Sequence, residues 1–237
     1  MKQPLHIWVT GASRGIGAAI AQALAADGHR ISLSGRNQAR LTDVANGLPS
    51  ASTAVVPCDV ANEQSVQRAY DLVVGGLGPV DVLINNAGSG QWADMTDLSI
   101  EAFDDQLAVN LRGVFLCCRT VVPAMVAAGA GHIITINSVA AITTFSGNTA
   151  YAASKAGALA LTRSLREEVR SSGIKVTDLL VGATETDIWP HEARHLHAER
   201  MMQATDIGTV VRSAVALGQL PAVHLEEMIV RPQLGDL

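Results

Sequence analysis

The sequence has few aromatic residues: three Phe, three Trp and two Tyr, 3% of 237 positions. A core with so few rings must be built from Ala, Val, Leu and Ile, the residues of buried parallel strands. Cysteine is scarcer still, with only Cys58, Cys117 and Cys118. No CxxC pair occurs, and adjacent Cys117 and Cys118 diverge on a helix, which excludes a disulfide framework or a CxxC redox motif. Three buried thiols in a reducing cytoplasm are expected. No run reaches ~18 consecutive apolar residues, so no membrane span is expected. Residues 1–15, MKQPLHIWVTGASRG, lack an apolar segment followed by a small-residue cleavage site, and no signal peptide is expected. A formal net charge of −5 leaves no basic footprint for nucleic acid. Repeats, charge blocks and low-complexity linkers are also missing.

What remains is 48% hydrophobic and 16% charged, which excludes disorder. A chain of this length makes one domain, burying roughly 70–75% of its unfolded surface. Residues 5–10, 30–34, 53–57, 80–85, 132–137, 174–180 and 227–230 are short, β-branched runs bounded by Gly, Pro or Asn, and are predicted strands. Helical periodicity fills 15–27, 37–47, 62–76, 100–128, 150–172 and 205–218. This alternation predicts an α/β fold: a doubly wound parallel sheet of about seven strands, helices on both faces, in a single domain spanning residues 1–237. Residues 185–205 break the rhythm with Trp189-Pro190 and HEARHLHAERMMQ. An insert after a strand's carboxyl end overlies the ligand crevice of such sheets, so this segment is expected to be a substrate lid.

After the first strand comes Thr10-Gly11-Ala12-Ser13-Arg14-Gly15-Ile16-Gly17, opening the first helix. Glycines admit a pyrophosphate to the backbone N–H groups, and a helix N-terminus favours its charge. A tight strand–helix turn without ligand is the alternative, and the strand–turn–helix setting argues against it. The second strand ends Ser34-Gly35-Arg36, with no acid for ribose hydroxyls. Gly35 leaves room there, and Arg36 with Arg14 offers two cations to a 2′-phosphate, unless both are merely solvated. The expectation is NADP(H) in preference to NAD(H).

Tyr151 and Lys155 lie four residues apart in YAASK, on one helix face. An ammonium near a phenol favours the phenolate and lowers a pKa that starts near ~10. Such a tyrosine can exchange a proton with a carbonyl or alcohol oxygen, which a nearby Ser138 hydroxyl could hold. Taken alone, a Tyr and Lys at this spacing is often only a surface pair.

TGASRGIG, CDV (58–60), NNAG (85–88), Asn110 in VNLRG, Ser138 and YxxxK occur in one order along the chain. Together they resemble the short-chain dehydrogenase/reductase family, from residue 5 to about 185. The resemblance implies a Rossmann fold and an enzyme that moves a hydride between NADP(H) and a small carbonyl compound or secondary alcohol. It implies Tyr151 as general acid/base and Lys155 as its tuner, also holding the nicotinamide ribose. Ser138 would bond the substrate oxygen, and Asn110 would anchor a water in a proton relay to Lys155. Gly11, Ser13, Arg14, Gly15, Ile16, Gly17 and Arg36 fall on the phosphate end. Asp59 and Val60 match adenine contacts, Asn86, Ala87 and Gly88 a turn beside the cofactor, and Gly182, Thr184 and Thr186 the carboxamide end. Two departures stand out: Val181-Gly182 where the family often has Pro-Gly, and no glycine-rich C-terminal segment. EEMIVRPQLGDL, SVAAITTF and TDIW look more like a bacterial sepiapterin-reductase-like subgroup, which suggests a diketone as an alternative substrate. Family members are commonly homo-tetramers or homo-dimers built through the helices at 100–128 and 150–172.

His191 and His195 share a helix face at a spacing that can ligate zinc, but the segment is polar all round and the reaction needs no metal. Solvated lid residues are expected. Substrate-facing positions are expected at Ser89 to Trp92, Ala140 to Asn148, and Ile188 and Trp189. They hold no Arg or Lys cluster, which favours a compact neutral carbonyl compound. A cofactor-binding sensor without turnover is the alternative class; the presence of Asn110, Ser138, Tyr151 and Lys155 together speaks for catalysis.

Overall fold

β1 (His6–Thr10) is five residues with every side chain buried. Its alternation assigns the two layers of the molecule. Ile7 and Val9 face one core, and Trp8 faces the other. The two polar ends and the indole are all bonded internally. His6 Nε2 lies 2.8 Å from Ser32 Oγ, Trp8 Nε1 donates to Ser34 Oγ at 2.8 Å, and Thr10 Oγ1 donates to Ile84 O. A buried strand tolerates such groups only when they are paired.

The computed structural model describes residues 4–49 and 52–236. After β1 the chain runs through α1 (Gly15–Ala26), β2 (Arg30–Gly35), α2 (Gln38–Asn46), β3 (Thr53–Pro57), α3 (Glu63–Leu77) and β4 (Val82–Asn85). Then follow α4 (Ile100–Leu107), a π turn (Ala108–Arg112), α5 (Gly113–Ala128), β5 (Gly131–Ser138), α6 (Thr149–Val169) and β6 (Ile174–Val181). The last elements are β7 (Thr184–Glu185), α7 (His191–His197), β8 (Met202–Gln203), α8 (Ala204–Gly218) and β9 (Glu227–Val230). Seven strands form one parallel sheet in the order β3-β2-β1-β4-β5-β6-β9. The order reverses between β1 and β4, the switch point where doubly wound sheets open a crevice. This is the α/β Rossmann architecture, and all seven expected strands take part in it.

Helices cover both faces. Ile20 and Leu24 of α1, Leu41 of α2, and Ile207 and Val211 of α8 pack on Ile7, Val9 and Ile31. Val66 and Val73 of α3, Val114, Cys117 and Val121 of α5, and Val169 of α6 pack on Trp8, Leu83 and Ile133. Each such side chain, fully buried, contributes roughly 1.5–3 kcal/mol. α1 and α8 meet almost backbone to backbone: a Cβ at Gly208 would lie 2.8 Å from Ala19 O.

One expectation changes in detail. The pattern over 100–128 predicts an unbroken helix, whereas five residues around Asn110 adopt π-helical bonding between α4 and α5. The combined run Ile100–Ala128 has the length and apolar composition of a membrane span. Its residues Val114, Leu116, Cys117, Cys118, Val121 and Met125 are nevertheless buried in the protein core. The three cysteines are free and buried, as expected.

β7 and β8 form a separate two-residue ladder, Thr184 opposite Met202 and Glu185 opposite Gln203. The segment carrying α7 therefore leaves and returns through one narrow base, just beyond the end of β6.

Candidate active site

The carboxyl ends of β1, β4, β5 and β6 open into a cleft of about 890 Å³. At its switch-point end the glycine turn is stitched to the end of β4. Thr10 Oγ1 accepts from the N–H of Asn86 (3.0 Å) and of Ala87 (3.2 Å), and Asn86 Nδ2 donates to the carbonyls of Thr10 (3.0 Å) and Gly11 (3.1 Å). Two glycines are forced here. Gly11 has φ +64°, and a Cβ on it would come 2.7 Å from Ala87 Cα; a Cβ on Gly17 would come 2.3 Å from Gly11 O. α1 begins at Gly15 with no side-chain cap and no acid in its first turn. Gly15, Ile16 and Gly17 at this helix start line the cleft, and an uncapped helix N-terminus favours negative charge.

Gly35, Arg36, Asp59 and Val60 extend this wall. Arg36 is exposed and makes no ion pair or side-chain hydrogen bond among the described residues, so its guanidinium is available. Arg14 is committed elsewhere: its Nη1 donates to Asp187 Oδ2 at 2.9 Å. Asp59 Oδ1 accepts from Ala61 N at 3.1 Å, fixing the turn after β3.

At the other end of the cleft β5 delivers Asn137 and Ser138, and the first turns of α6 deliver Tyr151 and Lys155. Asn137 ties the two elements together: Oδ1 accepts from Ser138 N (2.8 Å), and Nδ2 donates to Lys155 O (3.3 Å). Ser138, 8% exposed, accepts from Ala140 N. Burial raises the phenol pKa, and the Ser138 hydrogen bond opposes it. Lys155, buried at 7% exposure, donates from Nζ to Ile136 O at 3.0 Å and stands 5.7 Å from the Tyr151 ring centre. Burial lowers its pKa to about 8, with Asp178 behind it pulling the other way.

This corrects the expected electrostatics. Within the chain itself the lysine does not bring the phenol below its ordinary value; burial holds it above. The Lys155 ammonium is aimed at a backbone carbonyl instead of at the phenol oxygen.

Asn110 lies behind the cleft wall. It is buried and absent from the cleft wall. Its Nδ2 donates to Ser89 O (2.8 Å) and Ser154 Oγ (3.0 Å), and Oδ1 accepts from Ser89 N (2.9 Å). The side chain thus clamps the loop after β4 to α6. Every other site residue singled out in the sequence lines the cleft: Gly11, Ser13, Arg14, Gly15, Ile16, Gly17, Arg36, Asp59, Val60, Asn86, Ala87, Gly88, Ser138, Tyr151, Lys155, Gly182, Thr184 and Thr186.

The family model described as short chain dehydrogenase matches residues 5–196. The chain belongs to the short-chain dehydrogenase family. Membership makes it an oxidoreductase with a nicotinamide cofactor. It is 34% identical over 224 residues to an uncharacterised oxidoreductase of Staphylococcus aureus (strain USA300), covering 94% of this chain and 95% of that one. Among solved structures, an alcohol dehydrogenase from the archaeon Thermococcus sibiricus, complexed with 5-hydroxy-NADP, superposes with a TM-score of 0.90. Its identity is 28%, over 99% of both chains. A metagenomic short-chain oxidoreductase in complex with NADP has a TM-score of 0.81 at 33% identity, over 97% of both chains.

Beyond the family positions, Trp92, Phe145, Ile188 and Trp189 line the far side of the cleft, within the ranges expected to face substrate. Ala141 to Thr144 do not line it. His197 of α7 does, and so does Asp236 near the end of the chain. No local motif marks either one. Among the described residues no group of three or more His, Cys, Asp or Glu is arranged to hold a metal ion.

Proposed function

We propose that the chain is an NADPH-dependent oxidoreductase that interconverts a carbonyl and a secondary alcohol on a small uncharged molecule. The observation that carries this reading is the convergence of Tyr151, Ser138 and Lys155 on one cleft wall, with Lys155 Nζ 5.7 Å from the Tyr151 ring centre. The uncapped start of α1 and the unpaired Arg36 suit a phosphorylated dinucleotide. NADP forms in two structurally similar proteins support the same choice.

When bound, the nicotinamide supplies or accepts the hydride, chemistry that no side chain can perform. Gly11, Ser13, Gly15, Ile16 and Gly17 would hold the pyrophosphate, and Arg36, with Arg14 once it leaves Asp187, the 2′-phosphate. Asp59 and Val60 would flank the adenine, Asn86, Ala87 and Gly88 the ribose side, and Gly182, Thr184 and Thr186 the carboxamide. Lys155 would hold the nicotinamide ribose hydroxyls.

In reduction, the Tyr151 hydroxyl donates its proton to the substrate oxygen while Ser138 hydrogen-bonds the same oxygen. In oxidation, the phenolate takes the proton back, and the nearby Lys155 charge stabilises it. Asn110 acts at one remove, holding Ser89 and Ser154 in place. Residues 185–205 serve as a substrate lid over one dinucleotide-binding domain. The exposed Ile100 and Phe115 on α4 and α5 suit a homo-dimer or homo-tetramer, and the buried free cysteines suit a reducing cytoplasm.

The test is NADPH consumption over a panel of ketones, aldehydes, diketones and pterins. Tyr151→Phe is expected to lower turnover roughly 10²–10⁴-fold while leaving NADPH binding intact. Wild-type turnover in that variant rejects the assignment. Comparable kcat/KM for NADH and NADPH rejects the cofactor preference.

A further inference from the structure

The chain has eight aromatic residues, and four of them, Trp92, Phe145, Tyr151 and Trp189, line this one cleft. In a protein so short of rings, that concentration is a property of the site. Trp92 comes from the loop after β4 and Trp189 from the segment between β7 and α7. Their rings stack, with centres 5.3 Å apart and planes within 9°. Trp92 in turn lies 6.2 Å from the Tyr151 ring at a tilt of 40°. Gly90 lets the stack lie flat on the backbone: a Cβ there would come 2.9 Å from the Trp92 ring and 3.4 Å from Ile188 Cγ1.

The stack is too tight for a third ring to enter between the indoles, since parallel rings need about 3.5–4 Å of contact distance on each side. It therefore acts as a wall beside the Tyr151 ring. The cations of the cleft do not serve that wall. Arg14 is paired with Asp187, Lys155 Nζ is bonded to Ile136 O, and Arg36 stands at the far end beyond Gly35. An anionic substrate would have to compete with Asp187 for Arg14 and Arg194, and with the Ile136 carbonyl for Lys155.

Resting on the reductase reading above, we infer that Trp92 and Trp189 set substrate choice. The favoured substrates are uncharged ketones carrying an aromatic or alicyclic ring next to the carbonyl, in preference to straight-chain ketones and keto acids. A flat apolar ring covers the indole face or edge with little entropy to lose, whereas an alkyl chain must be ordered first.

Acetophenone, cyclohexyl methyl ketone, 2-octanone and benzoylformate have the same carbon number and separate the two features. With full-length enzyme and NADPH, kcat/KM for the first two is expected to exceed that for the others by roughly tenfold or more. Trp189→Leu and Trp92→Leu, each checked for folding by NADPH titration, are expected to reduce that preference to within about threefold. Saturation-transfer NMR on the cofactor-loaded protein reads ketone binding without turnover. Ring-selective binding that the tryptophan variants lose, with no ketone reduced, upholds the wall and rejects only the reductase reading. Equal handling of 2-octanone and acetophenone, efficient use of benzoylformate, absence of ring-ketone binding, or selectivity surviving in both variants overturns the inference.

Discussion

Arg14, in the turn before α1, donates to Asp187, 173 residues later, at 2.9 Å. The same carboxylate is gripped by Arg194 from α7, which also lies 3.6 Å from Glu185. The proposed phosphate turn and the proposed lid thus share one ion-pair cluster. An arginine held by an acid must be released before it can serve a 2′-phosphate. Asp187→Asn is therefore expected to tighten NADPH binding by up to about fivefold, because an exposed pair is worth roughly 0–1 kcal/mol. NADH binding should not move. Fluorescence titration with both cofactors checks this, and an equal effect on the two would defeat it.

Among the described residues Arg36 has no ion-pair partner to lose. Arg36→Ala is expected to raise the KM for NADPH roughly 10–100-fold, the range of one charge-assisted hydrogen bond, and to leave that for NADH within about twofold. Parallel losses with both cofactors would assign Arg36 a structural role instead.

The pH profile should separate the two directions of reaction. Reduction needs a protonated Tyr151 and a charged Lys155. Since burial brings Lys155 to about 8, kcat/KM for reduction should be level below that pH and fall above it. Oxidation needs the phenolate, which burial makes harder to form, so its rate should climb with alkalinity. A reduction rate that rises through pH 8 and beyond is incompatible with these roles. The lysine also affects folding. Between about 8 and the unfolded value near ~10.4 the unfolded chain holds more protons, so the Lys155 contribution to stability increases with pH there.

Beneath the site, Arg166 Nη2 meets Asp178 Oδ2 at 3.0 Å, with side-chain exposures of 5% and 0%. Thr162 Oγ1 donates to the other carboxylate oxygen at 2.8 Å, and Arg166 also donates to the carbonyls of Val176 and Glu226. Burial still brings Asp178 up to about 6, against the pull of Thr162 and Arg166. Arg166→Met strands a buried carboxylate and is expected to cost roughly 3–5 kcal/mol near neutral pH. Acidification to about pH 5 protonates Asp178 and should shrink that loss. Denaturant midpoints at the two pH values decide the point; an identical loss at both would show that the carboxylate is not the cause.

The sheet was legible because its strands are short β-branched runs with sharp Gly and Pro borders, and because parallel strands are buried on both faces. The glycine turn and the YxxxK pair were legible because each is local. What escaped was set by partners distant in sequence. Nothing near Arg14 announces Asp187, and nothing near Trp92 announces that Trp189 will lie flat against it. The π turn was equally hidden, since AVNLR has no composition that separates it from ordinary helix. Asn110 was found as a site residue, but its part had to be read from Ser89 and Ser154, which flank it only in three dimensions.

The strand order also governs how the molecule comes into being. The sheet's centre closes only when His6 and Asp81, 75 residues apart, are brought together, and each later strand adds outward from there. Contacts so distant in sequence make for slow assembly. On a ribosome, β1 and β2 must wait with apolar faces uncovered until β4 and the helices that cover it have emerged. Refolding yield after dilution should therefore fall as protein concentration rises, long before the finished enzyme shows any tendency to aggregate.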